Sequence, residues 1–124
     1  MGTDEKKVYM LLKSVIFHYH GLDDDERENL EQTATQLNAK EELNWANKFI
    51  AEDYLTSFER AREYLNEYIS DYPKPKRIEY IHMVWEANNL KGFVTELEVA
   101  AMVKLASDWR VQDELKKVIL SNVS

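Results

Sequence analysis

The chain has 124 residues, with 16 Lys and Arg against 23 Asp and Glu for a net charge of −7, and no cysteine. That length predicts one domain, residues 1–124, with a real hydrophobic core. The acidic balance opposes binding to a nucleic-acid backbone, which needs a basic surface, and the missing cysteines exclude disulfide and thiolate chemistry, in keeping with a reducing cytoplasm. No apolar stretch approaches the ~20 residues of a membrane span. The opening residues MGTDEKKVYM mix acids with lysines and do not read as a secretory signal.

Three glycines and two prolines are all that interrupt long amphipathic runs, which predicts an all-α protein. In the first helix, Val8, Leu11, Leu12, Val15 and Tyr19 share a face, and Met10, Ile16 and Phe17 widen it, so this helix is expected at the centre. Thr3 or Asp4 can cap its start, and Gly21 suits the left-handed position that ends it. Asp23 opens the second helix in capping-box spacing with Glu26, and Asp24 and Asp25 sit where the helix dipole favours acids. Leu30, Ala34 and Leu37 line its inner face. Asn38 ends it, and Asn38 with Glu41 repeats the cap spacing for a third helix carrying Leu43, Ala46, Phe49 and Ile50, with Trp45 adjoining.

A fourth helix is expected from about Asp53, with Phe58, Ala61, Leu65, Tyr68 and Ile69 on its stripe. The prolines of DYPKPK break it, and a linker near residues 71–76 divides the chain into halves. The fifth helix is expected from about Lys76 to Asn89, burying Ile78, Ile81 and Trp85. Gly92 follows, Thr95 caps a sixth helix holding Met102, Leu105, Ala106 and Trp109, and a seventh from about Gln112 to Leu120 presents Leu115, Val118 and Ile119.

The two glycine junctions align with each other. HGLDDDERENLEQTATQLNAKEEL and KGFVTELEVAAMVKLASDWRVQDEL match cap to cap, Asp23 with Thr95 and Glu26 with Glu98. Leu30 then meets Met102, Ala34 meets Ala106, Leu37 meets Trp109 and Leu43 meets Leu115. Such a pair is either an ancient doubling or one physical solution found twice. At these residues the chain resembles the TerB-like family, named for a tellurite-resistance protein. Its signature runs Asp-Gly, a residue or two, a hydrophobic residue, Ser/Thr/Asp, two residues and Glu. GFVTELE fits well, GLDDDE fits with a shortened turn, and MVWEANNLKG before the second bend is also similar.

The resemblance implies a compact bundle of about seven helices, with acids at the helix junctions suspected of cation binding. It also implies a place in stress-response or membrane-linked assemblies and no accepted enzymatic reaction. The family's Asp before the glycine is His20 in one copy and Lys91 in the other, so only Glu26 and Glu98 carry over.

His18 and His20 are about 200° apart around a helix and cannot chelate together. A weak divalent cation is therefore expected at most on Asp24, Asp25, Glu26 and His20, with Glu98 at the second junction; no other cofactor is expected, and no 12-residue EF-hand loop is present. His82 stands without a second histidine at ligand spacing, and no serine lies in a Gly-x-Ser-x-Gly elbow. Tyr64, Tyr68 and Tyr72 are four apart, and Tyr68 or Tyr72 would anchor a protein partner if exposed. The expectation is a non-enzymatic, cytoplasmic protein-interaction domain, with a divalent-cation sensor as the alternative.

Overall fold

A computed structural model describes residues 1–19, 21–90, 92 and 94–121. The protein is all-α, and among the described residues there is no strand. Seven α-helices are described: α1 (Thr3–Tyr19), α2 (Asp24–Leu37), α3 (Lys40–Glu52), α4 (Ser57–Ile69), α5 (Lys74–Asn89), α6 (Glu96–Asp108) and α7 (Gln112–Ser121). A single 3-10 turn, Tyr54–Thr56, precedes α4. Among the described residues no helix is long and apolar enough to cross a membrane.

The chain divides into two compact units, Met1–Leu65 and Asn66–Ser124. The division falls inside α4, ahead of the prolines. The side chain of Asn66 explains why the last turn of α4 belongs to the second unit. Its amide donates to Asp108 Oδ2 at 2.9 Å and accepts from Trp109 Nε1 at 2.9 Å.

In the first unit α1, α2 and α3 each touch the other two. Their apolar faces close over Leu11, Phe17, Leu30, Leu43 and Ile50, all buried. α1 is buried most widely, because Met10, Leu12 and Ile16 add to its inner stripe. In the second unit α5, α6 and α7 likewise touch one another, around Ile81, Met102, Leu105, Trp109 and Leu115. Lys74 on α5 also reaches Glu114 on α7 at 3.5 Å.

The doubling visible in the sequence extends through every junction of the two units. Gly21 and Gly92 both take left-handed backbone, φ 88 and 86, a conformation that a β-carbon disfavours. Their N–H groups donate to the carbonyls of His18 and Asn89, three residues back in each case. α2 closes on Asn38 at φ 53, with Asn38 N–H donating to Thr35 O and Ala39 N–H to Ala34 O. α6 closes on Arg110 at φ 58, with Arg110 N–H donating to Ser107 O and Val111 N–H to Ala106 O. Both are Schellman closures, which satisfy the last helical carbonyls. Arg110 occupies the position that Asn38 holds in the first unit, and its guanidinium donates to Ser70 O at 3.0 Å.

Four boundaries differ from the sequence expectation. The first hydrogen bond of α1 runs from Lys6 N–H to Gly2 O, so Gly2 takes the cap position ahead of Thr3. Asn38 is consumed in closing α2, its carbonyl accepting from Lys6 Nζ at 3.0 Å, so Ala39 precedes α3 and caps it with no side-chain hydrogen bond. α4 starts at Ser57 because residues 54–56 form the 3-10 turn, held by Arg60 donating to Phe49 O and Asp53 O. α5 starts at Lys74, ahead of the expected Lys76. Pro73 sits at the cap and Pro75 in the first turn, where a missing N–H goes unneeded. Leu37, Phe49, Ile78, Val118 and Ile119 are half-buried at the edges of the faces assigned to them.

Candidate functional site

The acids at the two junctions are engaged as helix caps. Asp23 Oδ1 accepts from Glu26 N–H at 2.7 Å, and Glu26 Oε1 accepts from Asp23 N–H at 3.2 Å. Thr95 Oγ1 accepts from Glu98 N–H at 3.2 Å, while Glu98 Oε1 takes both the Thr95 N–H at 2.9 Å and its hydroxyl at 2.8 Å. Glu26 and Glu98 are buried, so these bonds offset the desolvation of each carboxylate. Asp24 and Asp25 stand exposed in the first turn of α2. His20 and Lys91 lie outside the described residues. Among the described residues no three His, Asp or Glu side chains are grouped to hold a metal ion.

Replacing Thr95 by Ala removes one acceptor and one donor of the second box, and is expected to cost about 0.5–2 kcal/mol. Urea unfolding with and without EDTA checks this. The same loss in both conditions is expected, because backbone amides are what the box satisfies; a loss confined to metal-containing buffer would assign Glu98 to a cation instead.

Each unit has a groove between its second and third helix. In the first unit the groove has a volume of about 500 Å³. Leu22, Leu30, Leu43 and Ile50 make its floor. Arg27 and Glu31 from α2, Asn47 from α3, His18 from α1 and Tyr54 rise around it. The Tyr54 hydroxyl donates to His18 O at 2.7 Å, and the two rings meet edge to face at 6.3 Å. In the second unit the groove between α6 and α7 has about 290 Å³, lined by Val103, Ala106, Leu115, Lys116, Ile119 and Leu120, with Gln112 at its end.

Under the cap-to-cap alignment the two grooves share three lining positions, while Val99, the counterpart of Arg27, does not line the second. Leu43 pairs with Leu115, Arg27 with Val99, Glu31 with Val103 and Asn47 with Ile119. At these aligned rim positions the first copy is polar and the second apolar, although Gln112 and Lys116 also line the second groove. The outward face of the second helix diverges in the same sense. Asp25, Glu28 and Glu31 on α2 meet Leu97, Ala100 and Val103 on α6. Leu97 is 72% exposed, Val103 49% and Leu120 60%. Sequence reading placed Leu30, Leu43, Ile50, Ala106, Leu115 and Ile119 on helix faces but did not single out the rim residues Arg27, Glu31, Asn47 and Val103, because each is unremarkable alone; comparing the two copies at those positions is the signal that finds them.

His18 is half-buried at the polar groove. Burial and then the Arg27 guanidinium push its pKa below the ordinary histidine value of 6.5, against an opposing pull from the Glu26 carboxylate. The folded state therefore favours neutral imidazole. The stability this contributes is present above pH 6.5 and is lost as pH falls through the lowered folded value. Unfolding midpoints between pH 7.5 and 5 are expected to drop more for the parent chain than for His18→Gln, and parallel curves for the two would remove His18 from the acid response.

The three tyrosines spaced by four have separate surroundings. Tyr64 packs against Trp45 at 5.1 Å and Phe49 at 6.1 Å. Tyr68 is half-buried on α4. Tyr72 lies past the end of α4, half-buried, with its ring 5.8 Å from Tyr80 and Lys76 Nζ 4.4 Å from its centroid. His82 is exposed on α5. In comparisons with known proteins, no family model, no curated protein and no solved structure matches the chain.

Proposed function

We propose that this chain is a non-enzymatic, TerB-like protein-interaction domain that docks an amphipathic helix of a partner protein between α6 and α7. One observation carries the reading: the α6–α7 groove and the outer face of α6 expose Leu97, Val103 and Leu120, where the first unit has Asp25, Glu31 and Lys48 at the aligned positions. Leu97, Ala100 and Val103 make an exposed apolar strip on α6 beside Glu96, Lys104 and Ser107, and a partner that covers the strip gains its burial. An amphipathic helix covers it by setting residues at i, i+3, i+4 and i+7 into such a groove. Lys116 lines the groove, which favours a partner helix carrying an acid beside its apolar anchors.

A photo-crosslinker at position 120 of the full chain, with the captured peptides sequenced, tests the reading. The expected product is an amphipathic acidic segment of another protein, lost in Val103→Glu while the melting temperature holds. Capture that survives Val103→Glu, or a crosslink only to a second copy of this chain, defeats it.

A further inference from the structure

The polar groove of the first unit calls for a different occupant. Arg27 and Glu31 are one helix turn apart, the spacing at which opposite charges on a helix commonly pair. Here neither the guanidinium nor the carboxylate has a hydrogen bond or ion pair among the described residues, and the Asn47 side-chain amide facing them from α3 has none either. All three border an apolar floor, in a groove whose size is in the range of small-molecule sites, roughly 300–1,000 Å³. At the aligned positions the second unit carries Val99, Val103 and Ile119, of which Val103 and Ile119 line its own groove beside Lys116. Arg27 and His18 both line the groove, and the Arg27 guanidinium acts on the proton affinity of His18, with Glu31 one turn further along α2.

We propose that the groove bounded by His18, Arg27, Glu31, Asn47 and Tyr54 binds a free amino acid with a large apolar side chain. The side chain lies on Leu30, Leu43 and Ile50, the carboxylate on Arg27 and the ammonium on Glu31. The two charges of an amino acid sit on one carbon and so suit two side chains one helix turn apart, about 5–6 Å between β-carbons. The guanidinium offers the fork geometry that matches a carboxylate. Asn47 can donate to the carboxylate from the opposite wall. The edge of the Tyr54 ring closes the end of the groove beside His18.

Titration of the full chain with L-phenylalanine, followed by backbone amide NMR, tests the assignment. Saturable shifts centred on Arg27, Glu31, Leu43 and Asn47 are expected. N-acetylphenylalanine, which keeps only the carboxylate, and phenylalaninamide, which keeps only the ammonium, are each expected to bind about tenfold more weakly or worse. Arg27→Gln and Glu31→Gln change exposed residues and should leave the melting temperature in place while lowering phenylalanine affinity about tenfold. Absence of saturable shifts at tens of millimolar phenylalanine would overturn the proposal. So would equal binding of the single-charge analogues, or full affinity in Arg27→Gln with the fold intact.

Discussion

Trp109→Ala is expected to lower the stability of the second unit by about 3–5 kcal/mol, a large part of the net stability of a small protein, about 5–15 kcal/mol. Three contributions converge on this residue. Its indole is fully buried, so truncation leaves a cavity that neighbours held by helix backbone fill only in part. Its Nε1 donates to Asn66 Oδ1, and the Asn66 amide in turn donates to Asp108, so removal strands one member of a connected set. Its carbonyl accepts from Arg77 Nη1 at 2.7 Å where α6 ends, so a shift of the Trp109 backbone also loosens the start of α5. Trp109→Phe separates packing from hydrogen bonding. It keeps most of the ring and orphans only Asn66 Oδ1, for which about 1–3 kcal/mol is expected. Urea unfolding of both variants supplies the numbers, with hydrogen exchange on α5–α7 to locate the effect. An alanine variant within 1 kcal/mol of the parent would mean that the interior around Trp109 collapses freely.

The helices were legible in the sequence because their signals are local. Asp23 with Glu26 and Thr95 with Glu98 announce capping boxes by spacing alone, and both boxes form. Gly21 and Gly92 announce left-handed turns for the same reason, since only glycine adopts that backbone without strain. Arg110 carried no such signal. It takes left-handed backbone because Trp109 and Val111 are both buried and the chain must turn between them, a tertiary demand that overrides the residue's own preference. The 3-10 turn was illegible for a related reason: Arg60, several residues downstream, holds the carbonyls of Phe49 and Asp53.

The candidate sites were less legible than the fold. Acids beside a glycine resemble ligands when read along the chain, yet Glu26 and Glu98 each give Oε1 to a cap backbone amide and, in Glu98, to a hydroxyl as well. Groove residues carry no motif. Read along the chain, Arg27, Glu31 and Asn47 look like ordinary surface residues until their counterparts are compared, and Val103 is noticed because Glu31 holds the aligned position. A repeated architecture thus provides an internal control that a single copy lacks: shared positions report what folding requires, and divergent ones mark where the two copies are free to differ. Glycine turns, caps, Schellman closures and the floor pair Leu43 and Leu115 fall in the first class, and the groove rims fall in the second.

Phe17→Ala should act on the first unit as Trp109→Ala acts on the second, again by about 3–5 kcal/mol. Phe17 is fully buried near the end of α1, the helix that touches both α2 and α3. Lys13 Nζ lies 6.0 Å from its ring centroid and donates to Thr33 Oγ1 on α2 at 2.9 Å, so the ring also supports a polar tie between the two helices. Removing the ring leaves that ammonium beside a void, and α1 and α2 lose apolar contact and the backing of their hydrogen bond together. Phe17→Leu, closer in volume and without π-density, is expected to lose roughly 1–1.5 kcal/mol, which measures the ring contribution apart from the cavity. Hydrogen exchange should place the faster amides of Phe17→Ala in α1–α3. Protection that stays at the parent level there, with α5–α7 opening instead, would refute the assignment of Phe17 to the core of the first unit.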